Sequence, residues 1–300
     1  IYKMKIFITG ANGLLGQAVT SIFTRETGWE LICSSIEDKS FLDYGNKYEK
    51  LDITNKEEVK RVINLHRPDI IINCAAYTNV DGCETERELC WRLNVDGVKN
   101  LIIAAKKEDC RIIHISTDYV FDGKNGPYTE DYTPNPISFY GRSKLAAENA
   151  LTTSDVRHAI VRTMVLFGIG VNIKPNFALW MIDKLKAGEK INIVDDQIGN
   201  ATMVDDLAWG ILKLAEKNLT GIFNIAGSDI LSRYDFALKI CEVFDFNKAL
   251  VSKIKTADLN QPAPRPLNSG LVVLKASSQL GLKLMDSLEA IRLLKTQLGT

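Results

Sequence analysis

"FITGANGLLGQAV", residues 7–19, runs from a short apolar stretch into a helical pattern through three glycines, Gly10, Gly13 and Gly16. Between a strand and a helix such glycines have a mechanism: a tight turn, close approach of backbone to a diphosphate, and close helix-to-strand packing. The start of the helix then presents unpaired N–H groups to an anion. The spacing is G-x-x-G-x-x-G rather than the commoner G-x-G-x-x-G, so the reading rests on the position directly after the first strand. It predicts a dinucleotide-binding turn.

Working outward, "KIFIT", "ELICS", "DIIINCAA", "RIIHIST" and "HAIVRT" read as strands, and most run without polar alternation, as strands covered on both faces do. Between them "LLGQAVTSIF", "KEEVKRVINL", "LCWRLNVDGVKNLIIAAKK" and "YGRSKLAAENAL" carry the period of amphipathic helices. Alternation of this kind predicts an α/β fold, a Rossmann-type doubly wound parallel sheet. Beyond Arg162 the rhythm changes: "NFALWMIDKLKAG", "SRYDFALKICEVF" and "SLEAIRLLKTQL" read as helices and "INIV" as a short strand, while "VDDLAWGILKLAEK" and "GIFNIAG" resume the α/β pattern. The expected division is a dinucleotide-binding domain over 1–165, to which 200–226 returns, and a smaller interleaved substrate region over 166–199 and 227–300.

The 300 residues carry 37 basic and 37 acidic side chains, a balance that excludes a nucleic-acid or membrane partner held by bulk charge. No signal-like segment opens the chain, Met4 is read as the natural start, and no apolar stretch reaches the roughly 18 residues of a membrane span. A cytoplasmic location is expected. Six scattered cysteines without a C-x-x-C pair read as buried thiols, His114 inside "RIIHIST" reads as a core residue, and no metal-ligand set is found. Trp91, Trp180 and Trp209 lie on apolar helical faces and are expected in the core.

"SFYGRSK" sets Tyr140 and Lys144 four residues apart, on one side of a helix. A phenol is a poor proton donor at neutral pH, and a neighbouring ammonium favours the phenolate, so Lys144 is expected to lower the Tyr140 pKa. Thr117 ends the "RIIHIST" strand at the carboxyl edge, where ligands of open α/β sheets bind, and its hydroxyl can bond the carbonyl that Tyr140 protonates. The second strand ends "ICSSIED". The absence of a carboxylate beside Ser34 at its tip favours NADPH, and the nearby Glu37 and Asp38 leave NADH open.

These residues resemble the extended short-chain dehydrogenase/reductases. The stretches "NCAAYTNVDGCE", "LNVDGVKNL", "HISTDYVFDG", "PYTEDYTPNPISFYGRSKLAAE", "VDDQIGNATMVDDLA" and "FNIAG" are similar to the dTDP-4-dehydrorhamnose reductase family, from Lys5 to about Ala237. The resemblance implies reduction of the C4 carbonyl of a dTDP-4-keto-6-deoxyhexose. In it Tyr140 is the general acid, Lys144 grips the nicotinamide ribose and Thr117 orients the carbonyl. It implies cofactor contacts at Gly10, Asn12, Gly13, Leu14, Leu15 and Gly16 in the phosphate turn, at Asp52 and Ile53 near the adenine, and at Ala75, Ala76 and Tyr77 towards the nicotinamide. A nucleotide-sugar substrate and a homodimer are the partners it implies.

Related dehydratases carry Asp-Glu after the edge threonine; here Asp118 is followed by Tyr119, as suits a reductase. Two departures touch the substrate side. "RTMVLFG" puts Val165 where the family has tryptophan, and "APRP" leaves Arg265 alone where the family has two arginines to meet the diphosphate. Asn176 and Phe177 keep a pair that the family places against the substrate; a helix cap and a core ring are the other readings. Two functions stay open beside the reductase: a different sugar-nucleotide reductase or epimerase, and a regulatory subunit resembling the β subunit of methionine adenosyltransferase.

Overall fold

The computed structural model describes residues 3–299. Apolar runs form the middle of the sheet: β1 (Lys5–Thr9), β2 (Glu30–Ser35), β4 (Ile70–Asn73), β5 (Arg111–Thr117) and β6 (His158–Thr163) are buried almost throughout. They join β3 (Lys47–Lys50) and β8 (Gly221–Asn224) in a seven-stranded sheet of order β8-β6-β5-β4-β1-β2-β3, every pairing parallel. The order reverses at β1 and β4, so their carboxyl ends border a crevice.

Both faces of the sheet are covered. Helix α1 (Leu14–Glu26) packs with α6 (Val204–Glu216) on one face, through Val19, Ile22 and Phe23 against Leu207, Ile211 and Leu214. On the other lie α2 (Lys56–His66), α3 (Gly97–Glu108) and α4 (Phe139–Thr152), which bury Val59, Val62, Val98, Leu101, Ala147 and Leu151. A separate core joins α5 (Phe177–Lys186), α7 (Arg233–Phe244) and α8 (Ser287–Leu298) to β7 (Ile191–Val194), which pairs in parallel with β9 (Val251–Ile254). Met181, Ile191, Phe236, Ile240 and Ile291 fill it.

Several sequence expectations change here. The helix expected across 89–107 is interrupted by a π-helical turn at Arg92–Asp96, which precedes α3. That irregularity delivers the Asn94 amide to both backbone groups of Tyr77, at 2.8 and 3.0 Å, and to Ser143 on α4 at 3.0 Å. Trp91 and Trp180 are not core residues: each is 38% exposed, whereas Trp209 packs against the core. The six cysteines are free thiols, five buried and Cys74 partly so. His114 is buried and bonded through Nδ1 to Asn73 at 3.0 Å. Among the described residues no helix is long and apolar enough to cross a membrane, and no group of three His, Cys, Asp or Glu could hold a metal ion.

Candidate active site

The glycine turn is fixed by contact. Gly10 adopts φ +64°, and a Cβ there would lie 2.7 Å from the Ala75 nitrogen, so the loop after β4 crosses directly over it. Gly13 stands at the start of α1 without a side-chain cap, leaving the first N–H groups of the helix facing a cavity of about 510 Å³. Leu14, Leu15, Gly16, Ala76, Thr117, Asp118, Tyr140, Lys144 and Val165 line the same cavity. The turn and the Tyr/Lys pair, remote in sequence, thus share one space.

Helix α4 is aimed at this cavity by its own first turn. Ser138 caps it by accepting from the Gly141 N–H, and Glu84 accepts from the Phe139 N–H at 2.7 Å. A Cβ at Gly141 would meet the Tyr119 carbonyl oxygen at 2.1 Å, so only glycine lets α4 close on the segment that follows β5. Tyr140 is then 8% exposed and meets the Tyr119 ring edge-on at 5.5 Å. Lys144 is 2% exposed and donates to the Ile115 carbonyl at 2.6 Å.

Thr117 donates to Asp118 Oδ1 at 3.0 Å, and Ser269 donates to Asp118 Oδ2 at 2.6 Å. Burial pushes the Asp118 carboxyl up to about 6 against those two bonds. The expected lowering of the Tyr140 pKa is reversed. Burial, and then the Asp118 charge, hold the phenol well above its ordinary value, while a hydrogen bond with Thr117 pulls the other way. The same burial draws Lys144 down to about 8, with Glu148 opposing it. Desolvation outweighs the neighbouring cation, whose N–H is directed to a carbonyl.

One turn beyond Lys144, Glu148 forms a buried two-pronged ion pair with Arg162 of β6, at 3.0 and 2.7 Å, and accepts from Ser116 of β5. Arg162 also donates to the Glu130 carbonyl at 3.2 Å. This network locks α4 onto the two strands that carry the site.

Other expected contacts have side chains engaged within the protein. The Asn12 amide bonds Glu37, the Lys39 carbonyl and Tyr48, and accepts from the Phe41 N–H, so it pins the 37–41 loop. Ser34 turns its hydroxyl to the Ile8 carbonyl at 3.1 Å, away from the strand tip. Glu37 accepts from the Asn12 amide of the glycine turn at 3.1 Å; although burial raises it, hydrogen bonds from Ser35 and Asn12 hold it below its ordinary value. Asp52 accepts from the Thr54 N–H, Ile53 is packed in the core, and the Ala75 N–H is directed at the Thr9 hydroxyl. The Tyr77 hydroxyl bonds Glu86.

On the substrate side Asn176 is a helix cap: it accepts from Leu179 N–H at 3.2 Å and donates to the Gly168 carbonyl at 2.7 Å, which spends its amide. Arg265 is tied to Asp81 at 2.8 Å through one of its guanidinium nitrogens. Arg265 and Phe177 line a second cavity of about 350 Å³ together with Trp180, Tyr119 and Arg233. Val165 takes φ +47°, unusual for a β-branched residue. Arg233, which borders both cavities, was not marked by any motif. The signal in the sequence is a cation opening a helix, where it works against the helix dipole.

The model of the RmlD substrate binding domain matches residues 4–298. The chain belongs to this family. It is 35% identical to the dTDP-4-dehydrorhamnose reductase of Aggregatibacter actinomycetemcomitans, over 96% of this chain and 97% of that one. It is 31% identical to the methionine adenosyltransferase 2 subunit beta of Rattus norvegicus, over 90% of this chain and 81% of that one. The crystal structure of the dTDP-4-dehydrorhamnose reductase of Bacillus anthracis in complex with NADP superposes with a TM-score of 0.86 at 33% identity, covering 99% of this chain and 100% of that one.

Proposed function

We propose that this RmlD-family chain is a nicotinamide-dependent oxidoreductase that reduces the C4 carbonyl of a dTDP-4-keto-6-deoxyhexose, with dTDP-4-dehydrorhamnose as substrate and dTDP-L-rhamnose as product. The observation that carries this reading is the meeting of Thr117, Tyr140 and Lys144 with the glycine turn on one cavity. That cavity suits a dinucleotide: Gly10 and Gly16 let the turn close against the loop after β4 and against its own helix, Gly13 keeps the approach of a phosphate to the start of α1 clear, and Lys144 lines the same cavity to hold a ribose.

Bound there, the reduced nicotinamide supplies the hydride. The residues of the chain do the rest. Thr117 orients the carbonyl oxygen, and Tyr140 gives its proton to that oxygen as charge develops on it. Burial, and then the Asp118 charge, keep the phenol in its protonated form, and the hydrogen bond with Thr117 restores part of its acidity. Residues 1–165 with 200–226 hold the cofactor in this reading, and 166–199 with 227–300 the sugar nucleotide.

The absence of a carboxylate at the β2 tip, where the chain has Ser34 and Ser35, supports NADPH, and the Glu37 charge beside the turn supports NADH. The test is oxidation of NADPH and of NADH against a panel of dTDP-, UDP- and GDP-4-keto-6-deoxyhexoses, with the product identified by NMR. Stoichiometric consumption with a dTDP substrate supports the proposal; an epimerised product with no net consumption overturns it. The likeness to an adenosyltransferase β subunit favours one reading of another class, a regulatory subunit. Co-purification with an adenosyltransferase, with no ketosugar reduced, would establish that reading instead.

A further inference from the structure

We propose that Arg233 is the residue that grips the diphosphate of the sugar nucleotide, an inference that rests on the function proposed above. The reaction cavity and the outer cavity meet at Tyr119 and Arg233, which line both. The seam offers a sugar nucleotide whose ketone reaches Tyr140 a way into the outer cavity. In the outer cavity Phe177 and Trp180 lie nearly parallel, with ring centroids 6.2 Å apart and planes 17° apart, and present flat apolar surface to a nucleoside. The diphosphate, which joins hexose to nucleoside, then falls at the seam.

The Arg233 guanidinium has its donors available for that group. Among the described residues it makes no hydrogen bond or ion pair within the protein; it stacks over Phe177 with its central carbon 4.8 Å from the ring centroid. Stacking fixes the plane of the guanidinium and leaves its edge to meet phosphoryl oxygens in pairs. Asp118, the carboxylate near it on the catalytic side, is already bonded to Thr117 and Ser269. Arg265, which sits near enough to repel Arg233, is paired with Asp81, and Asp118 acts on Arg233 without forming an ion pair with it, so the donors of Arg233 stay open to the seam. A bound phosphate would relieve the conflict between that cation and the start of α7.

The test is calorimetric titration of the full chain with dTDP and with thymidine, for the wild type, Arg233→Gln and Arg265→Gln, with NADPH and NADH affinity as a control on folding. Arg233→Gln is expected to weaken dTDP by about tenfold or more and to leave thymidine within about twofold, because only the charge-assisted phosphate bonds are lost. Arg265→Gln is expected to weaken dTDP less than Arg233→Gln does. Unchanged dTDP affinity in Arg233→Gln, equal losses for dTDP and thymidine, or a larger loss in Arg265→Gln overturns the assignment. A wild type that reduces the ketosugar while Arg233→Gln keeps dTDP affinity sinks this inference alone; a wild type that binds nicotinamide nucleotide but neither dTDP nor UDP sinks the sugar-nucleotide reading with it.

Discussion

Lys144 donates its ammonium to the Ile115 carbonyl at 2.6 Å, two residues before the strand ends in Thr117. Helix α4 and strand β5 are joined at that point, which sets Tyr140 and the Thr117 hydroxyl on one wall. The ammonium anchors the site as well as charging it, and burial leaves its proton less firmly held.

A pH profile follows from that burial. With Lys144 drawn down to about 8, the cation is intact below that value and lost above it. We expect kcat/KM for the nicotinamide nucleotide, which reports the free enzyme, to fall above about pH 8. Lys144→Arg should carry the falling limb to higher pH, since a guanidinium does not deprotonate in this range. An unmoved limb in that variant would assign it to another group.

The Glu37 carboxylate beside the glycine turn gives a prediction about cofactor choice. Glu37→Ala removes a charge that repels a 2′-phosphate, and should raise the NADPH-to-NADH ratio of kcat/KM by about tenfold. Steady-state kinetics with both cofactors measure it. A ratio that stays put would place the discriminating contact elsewhere on the crevice.

Gly13 separates binding from folding. A Cβ there meets only the Gly10 carbonyl oxygen at 3.3 Å, whereas one at Gly16 would lie 2.2 Å from that oxygen. Gly13→Val is therefore expected to fold, and to bind the dinucleotide at least about tenfold more weakly because the side chain occupies the approach of the diphosphate. Fluorescence titration of the reduced nucleotide, beside a thermal melt, checks both parts.

The Glu148–Arg162 pair is expected to matter for stability. Arg162→Met leaves Glu148 buried without its partner, a change that costs about 3–5 kcal/mol. Urea unfolding measures it, and a loss below about 1 kcal/mol would mean that Glu148 takes up a proton or reaches water.

Much of this was legible in the sequence because it depends on local pattern. "KIFIT", "RIIHIST" and "HAIVRT" are apolar without alternation since both faces of the sheet are covered, and Tyr140 and Lys144 share a face through helical spacing alone. The edge strand β3, "KYEK", lacks that signature because it is half-solvated, and β9 is "VSKI" with two exposed residues. The contacts of Arg233 and Arg265 depend on segments brought together only by the fold, so neither the Asp81 pairing of Arg265 nor the place of Arg233 between two cavities could be read from "APRP" or "SRYDFA". The Tyr140 shift had the wrong sign because spacing reports which charge is near and says nothing of burial, the larger effect here.

The central claim is that Tyr140 donates the proton to the substrate carbonyl. The direct measurement is turnover of reduced nicotinamide with dTDP-4-dehydrorhamnose by Tyr140→Phe, set beside its affinity for the same nucleotide. Loss of about 100-fold or more in kcat with cofactor affinity nearly unchanged is the expected result. Turnover equal to that of the wild type would contradict the account.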